Sequence, residues 1–440
     1  MLTRRDFLQA GAAGAFTSMT AWPAMQALAA VDGSGYKAMV CLFLFGGIDA
    51  NNMVVPTDNT RYTQYRNVRP NLAIPQDQLL RVATVGDYGL HPAMAGMQNL
   101  VNTGKAAIIA NVGTLMVPTI KQQYADRSVP LPMSLFSHSD QQQAWQTSIV
   151  DTPGRSGWGG RLLERALASG LPNRGYSAIS VAGGNVWEAG DTSLTPYRVS
   201  SSGRFGFDFY DPAGTDPMSV AITGMLAEAR SDPFEQTWLN LMKRSIENQR
   251  VLTAALNNQT LATVFPDSGL GRQLRMVALL IKARASLAVP RQCFFASIGG
   301  FDTHGDDQLQ RQNELLGEIS AAVAAFQAAM EELGTSQAVT LFTASDFNRN
   351  FPSNGQGTDH AWGSHHFVVG GSVKGGRMYG RFPQLVVGGV DDVGQGTWVP
   401  ALSTDQMGGE LARWFGADAA SADEVFPRLR YFDRNVGFMA

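Results

Sequence analysis

With 440 residues, 44% of them hydrophobic and 16% charged, the chain can bury a large core and is not a disordered polypeptide. A formal net charge of −3, with no stripe of Lys and Arg interleaved with aromatics, excludes nucleic acid as a partner. Two cysteines and no CxxC exclude a thiolate zinc site.

The chain opens on "TRRDFLQ" (Thr3 to Gln9), followed by a weakly apolar run and "ALA" at 27–29, a small-x-small cleavage pattern. This reads as a twin-arginine export signal over residues 1–30. It predicts passage through the twin-arginine translocase and a mature protein in the periplasm or secreted beyond it. The apolar stretch is rich in Ala and Gly and broken by Pro23, so it predicts no stable membrane span, and no later stretch is long and apolar enough. Residues 31–440 are expected to form a single domain.

"KAMVCLFLF" (37–45) is a continuous apolar run, and the turn after it carries Asp49 and Asn52. A helical pattern over 94–104 precedes a second run at 105–113. "SLFSHSDQQQAWQT" (134–147) places Ser137, His138 and Ser139 at a predicted helix start near Asp140, where free N–H groups and the helix dipole favour an anion. Ser137 is the candidate nucleophile, with Ser139 as the alternative. Either Ser139 or Asp140 also reads as a plain N-cap. A helix over 159–170 leads to a run at 175–184, and residues 186–216, rich in Ser, Gly, Asp and aromatics, read as a loop insertion. Helical spacing covers 233–260, 268–289 and 307–333. Between them, the run at 291–300 ends on Asp302 and His304, and the run at 337–346 ends on Asp346, with Arg349 just beyond. "GTDHAWGSHH" then holds Asp359, His360, His365 and His366, so this stretch carries three of the chain's six histidines.

Short apolar runs alternating with helices predict an α/β fold, a three-layer sandwich around a mostly parallel sheet. Ligands bind such sheets at the carboxyl ends of the strands, where these aspartates fall. Carboxylate and imidazole together suit a divalent ion, zinc or manganese above all, with one or two ions able to clamp an oxyanion. Each aspartate alone reads more readily as a helix N-cap or turn former than as a ligand. In an extended segment His365 and His366 face opposite ways, so at most one reaches a given site. Trp145, Trp158, Trp187 and Trp362 suit core packing better than a sugar platform.

The blocks "FLFGGIDANNMVVP", "GLHPAM", "SLFSHSDQQQAWQT", "GGFDTHGDDQ", "LFTASDFNRN" and "GTDHAWGSHH", in this order behind the twin-arginine leader, resemble those of the domain-of-unknown-function 1501 proteins. That family is similar in fold to the alkaline phosphatase and sulfatase superfamily. The resemblance implies an alkaline-phosphatase-like sheet with a two-metal site at its strand ends. It further implies Asp49 as a ligand of one metal, Asp302 and His304 as the pair for the second, Asp346 and His360 as further ligands, and Ser137 as nucleophile. His138, Arg349, Asp359, His365 and Asn52 would stand behind the ligands or bind an oxyanion. Asp302 and His304 are closer together than the usual phosphatase pair, and Phe347 follows Asp346 where phosphatases carry histidine. The expected function is an exported, metal-dependent hydrolase of phosphate or sulfate esters, small or polymeric. The alternative is a catalytically silent, metal-binding envelope protein acting in assembly or beside another exported protein.

Overall fold

A strand buried on both faces needs apolar residues at every position, so its sequence shows a run and not an alternation. The computed structural model describes residues 35–168, 174–192, 194–202 and 210–440; the predicted export signal lies outside them. Among the described residues nine strands form the main sheet: β1 (Lys37–Phe45), β2 (Ala106–Gly113), β3 (Ala178–Ser180), β4 (Tyr197–Arg198), β5 (Arg291–Gly299), β6 (Val339–Ser345), β7 (Ser364–Gly370), β8 (Met378–Gly380) and β9 (Leu402–Ser403). Their order is β8-β2-β7-β6-β1-β5-β3-β4, with β9 beside β2. β1 lies parallel to both β5 and β6 at the centre. Strands and helices alternate as the sequence predicts, and the fold is a three-layer α/β sandwich.

Alternate residues of β1 feed two cores. Ala38, Val40, Leu42 and Leu44 pack toward α1 (Ala95–Asn102) and other helices of that layer. Met39, Cys41 and Phe43 pack toward the opposite layer, which holds α2 (His138–Thr147) and α3 (Trp158–Ala168). The first layer also holds the end of α5 (Pro233–Leu256), which follows α4 (Pro217–Ala227), and α6 (Gly269–Lys282) and α7 (Gln308–Glu332). The second is completed by α8 (Thr404–Phe415). Trp145, Trp158, Trp187 and Trp362 are all buried, which is core packing.

β7 breaks the parallel pattern: it is antiparallel to both β2 and β6. A parallel neighbour of β6 would need a crossover over one face, and no described helix lies between Ser345 and Ser364. The chain therefore turns straight back, and residues 346–363 stay at the carboxyl edge of the parallel strands. His365 and His366 open β7 and face opposite ways. His365 stacks on Phe382 and its Nδ1 accepts from the Asn111 N–H, while His366 meets Thr343 and the edge of Trp145. Burial pushes both imidazoles down to about 3, so they are neutral core residues.

Cys41 and Cys293 are both buried and free. Cys293 pairs with Met39, two positions along β1 from Cys41, and that diagonal is too long for a disulfide. Within 186–216, Tyr197 and Arg198 form the sheet's edge strand, while Trp187 and Glu188 are fully buried beneath α3. Residue 193 and residues 203–209 of that stretch lie outside the described residues. No helix among the described residues is long and apolar enough to cross a membrane.

Glu188 carries a pH signature. Its Oε2 accepts from Asn185 at 2.8 Å, its Oε1 has no partner, and burial pushes its pKa up to about 8. The folded chain therefore holds this proton between pH 4.5 and 8, where the unfolded chain has released it, so stability falls as pH rises through that window. Glu188→Gln is neutral throughout. Its melting temperature is expected to gain on wild type between pH 5 and 8, by the equivalent of up to roughly 4 kcal/mol. Parallel melting curves at all pH values would contradict this.

Candidate metal centre

The centre begins with the Gly46–Gly47 pair that ends β1. Both residues have positive φ, +114° and +79°. A Cβ on Gly46 would lie 2.4 Å from the Asp302 nitrogen, and one on Gly47 would lie 2.4 Å from the Phe347 ring. Only glycine lets the ends of β1, β5 and β6 converge this closely. The turn aims its two carbonyls at Arg349, a fully buried residue. The Arg349 guanidinium donates to the Gly46 and Gly47 carbonyls, to the Thr358 carbonyl at 3.0 Å and to Asp302 Oδ1 at 2.5 Å.

Residues 346–350 run beside 359–362 as a short antiparallel pair: Ala361 N–H donates to the Asn348 carbonyl and Asn350 N–H to that of Asp359. This pairing sets His360 next to Arg349. His138 arrives from the other direction, as the first residue of α2. The result is a cluster of His138, Asp302 and His360, whose ligand atoms all lie within 4.8 Å of one another. Asp302 Oδ1 is 3.5 Å from His138 Nε2 and 3.8 Å from His360 Nε2, distances too long for hydrogen bonds.

Both Nε2 atoms are buried and without a hydrogen-bond partner, whereas both Nδ1 atoms are engaged. His138 Nδ1 donates to Asp346 Oδ2 at 2.6 Å, and His360 Nδ1 donates to the Phe136 carbonyl at 2.7 Å. A carbonyl can only accept, so the His360 proton sits on Nδ1 and its Nε2 presents a lone pair. Orphaned Nε2 atoms, backed by a carboxylate on one ring and a carbonyl on the other, are the arrangement of metal-binding imidazoles. Two imidazoles and a carboxylate fit zinc and are compatible with manganese or iron.

Charge at the centre agrees with this fit. The Asp346 hydrogen bond, against burial, raises the His138 pKa and makes the ring more basic. Burial lowers His360, which keeps it neutral. Burial works to raise Asp302, but the Arg349 hydrogen bond and the charges of Arg349, His138 and His304 win and hold its carboxyl below the ordinary value. Phe347 packs its ring against both imidazoles, with centroids 4.8 Å from His138 and 4.5 Å from His360.

The other expected site residues fall around this centre. His304 lies at its rim, 44% exposed, with Nδ1 2.9 Å from Asp302 Oδ1. Asp346 stands behind His138: its Oδ2 also accepts from Gln142 at 2.9 Å and from Gly46 N–H at 3.2 Å, and its Oδ1 is buried without a partner. Asp49 is not brought to the cluster. Its carboxylate is fully buried, paired with Arg69, and accepts from Gln308 at 2.7 Å. Asn52 is likewise held, by Tyr65, the Leu72 carbonyl and Gln312. Asp359 is exposed and accepts from Asn354, and His365 is in the core. Ser137 is the N-cap of α2, yet its hydroxyl makes no capping bond and lies 3.3 Å from that of Ser139.

His138 reaches the ligand cluster instead of standing behind it, and sequence does carry a trace of this. His138 and Gln142 are four residues apart on one helix, so both side chains face one neighbour, and both bond Asp346.

The model of the family described as "Protein of unknown function (DUF1501)" matches residues 240–405, bearing out the resemblance over that stretch. The match takes in Asp302, His304, Asp346 and His360 and stops short of Ser137 and His138. No curated protein matches the chain. Among solved structures, the PsFucS1 sulfatase from Pseudoalteromonas sp. is similar at 10% identity and TM-score 0.35, over 87% of this chain and 68% of that one. The C-terminal periplasmic domain of EcEptC from Escherichia coli, in complex with zinc, is similar at 8% identity and TM-score 0.32, over 78% and 74%. The lipoteichoic acid synthase LtaP from Listeria monocytogenes is similar at 8% identity and TM-score 0.31, over 88% and 77%.

If Asp346 orients His138 for a metal, Asp346→Asn weakens metal binding by about 10–100-fold without unfolding the chain. Competition with a chelator of known affinity measures this. Unchanged affinity would make the Asp346–His138 bond purely structural.

Proposed function

We propose that the protein is an exported, metal-dependent hydrolase of phosphate or sulfate esters, acting at the centre formed by His138, Asp302 and His360. The observation that carries this reading is the pair of buried, unpartnered Nε2 atoms facing Asp302 Oδ1. A divalent ion held by His138, Asp302 and His360 would supply Lewis-acid polarisation of the ester and would lower the pKa of a hydroxyl beside it. The chain's own residues do the rest. Asp346 and the Phe136 carbonyl fix the two rings, and Arg349 holds Asp302 in its ionised form. Ser137, beside His138 and free of the capping bond its position would allow, is the nucleophile. His304 lies at the open side of the centre, where a leaving group would depart.

One observation favours the silent metal-binding alternative. Arg349 is committed to three carbonyls and Asp302, so it is not free to meet the ester's oxygens.

The two readings separate in an assay of metal-loaded wild type and Ser137→Ala against p-nitrophenyl phosphate, its diesters and p-nitrophenyl sulfate. The hydrolase reading expects turnover by wild type, and in Ser137→Ala a kcat lower by at least about 100-fold with metal content unchanged. Metal-loaded wild type that turns over none of them would favour the silent reading. Full activity in Ser137→Ala would move the attack from the serine to water.

A further inference from the structure

Far from the metal centre in sequence, α4 reads PMSVAITGMLA, eleven residues without a charge, yet Ser219 and Leu226 are its only buried residues. An all-apolar helix is normally buried on every side. Met218, Val220 and Met225 on α4 are between 51% and 57% exposed. On the adjoining α5, Trp238 and Leu241 fall in the same range and Phe234 is 86% exposed. Phe234, Trp238 and Leu241 recur at helical spacing, so they form one stripe. The end of α5 is seated on the body through Leu252, with Val251, Ala255 and Leu256 beside it; the start of α5 and α4 carry the open surface.

We propose that α4 and the first half of α5 form the interface of a homodimer, two helical hairpins closing face to face into a four-helix arrangement. Three features select a second copy as the occupant. Val220 lies on the other side of α4 by helical spacing, and the remaining five side chains expose on the order of 600 Å² of apolar surface, taking about 200 Å² for each large side chain. That stands at the top of the roughly 300–600 Å² range of the largest patch on an ordinary monomer and approaches the roughly 800 Å² that each partner gives to a stable interface. The same patch also carries both knob and hole. A cleft of about 580 Å³ between the helices is lined by Met225, Arg230, Phe234, Glu235, Trp238 and Leu239, with the exposed Phe234 and Trp238 rings at its edge. A two-fold interface uses one patch on both copies, and a self-complementary patch meets that demand. Lastly, residues 216–245 carry Asp216, Glu228, Asp232 and Glu235 against Arg230, Lys243 and Arg244, and Arg230 is paired with Glu228. The surface therefore has no excess of the Lys and Arg that an anionic bilayer attracts.

Sedimentation equilibrium on the full exported chain tests the proposal, beside the double variant Phe234→Glu, Trp238→Glu. Both side chains are more than half exposed, so the variant is expected to keep its fold, checked by far-UV circular dichroism and metal content. Wild type should sediment as a dimer, and the double variant should dissociate at least about 100-fold more readily, as expected for losing two aromatic anchors. Leu241→Cys gives a second reading: oxidation should link it into covalent dimers, with no background from Cys41 and Cys293, which are buried. A wild type that stays monomeric at about 100 μM, well above the affinity of a standard-sized interface, would overturn the proposal. So would a double variant that dimerises as well as wild type. A monomer that instead floats with phosphatidylcholine–phosphatidylglycerol vesicles, and loses this in the double variant, would assign the patch to lipid and not to a second copy.

Discussion

The geometry of the candidate metal centre depends on one buried cation. Arg349 sits where three chain segments end: the Gly46–Gly47 turn after β1, the Asp302 loop after β5 and the Thr358 backbone ahead of His360. Each segment gives it an acceptor, and without it the Gly46, Gly47 and Thr358 carbonyls would lose the donor they share. Desolvating a guanidinium costs several kcal/mol, recovered only when its donors are matched, so the arrangement permits little drift. The fixed fork of Arg suits acceptors spread over several strand ends, where a lysine ammonium would meet fewer. The same residue sets the charge state of Asp302.

On this frame the two imidazoles are positioned by different means. His360 is carried by backbone pairing, since the 359–362 segment is zipped to 346–350 before its ring meets the Phe136 carbonyl. His138 is carried by a helix docked from the other layer, and Asp346 fixes its ring from the end of β6. Phe347 fills the space against both rings and supplies no donor atom, which leaves a compact three-ligand group. Asp49 is spent differently: with Arg69 and Gln308 it forms a buried polar knot that ties the loop after β1 to the start of α7.

Much of the fold was legible in the sequence because its central strands are buried on both faces, and such strands announce themselves as unbroken apolar runs. The runs at 37–45, 105–113, 291–300 and 337–346 appear as β1, β2, β5 and β6 within a residue or two. That carboxylates collect at the strand ends was legible for the same reason. The choice among them was not. Asp49 and Asp302 both follow central strands, and only Arg69, twenty residues beyond Asp49, decides that Asp49 is neutralised inside the core. His365 and His366 stand among the three histidines of one short stretch, but a strand buried on both faces takes them into the two cores and leaves His360 alone at the edge. The place of His138 depends on how α2 docks on the sheet, a contact between layers of which the four-residue spacing of His138 and Gln142 gives only a trace.

The central claim is that His138, His360 and Asp302 bind one ion, and X-ray absorption at the metal edge of the exported protein tests it most directly. The account predicts scattering from two imidazoles at about 2.0–2.1 Å with oxygen donors completing the shell, and loss of one imidazole in His138→Ala. A folded protein with no bound metal, or a metal whose imidazole count is the same in His138→Ala as in wild type, would contradict it.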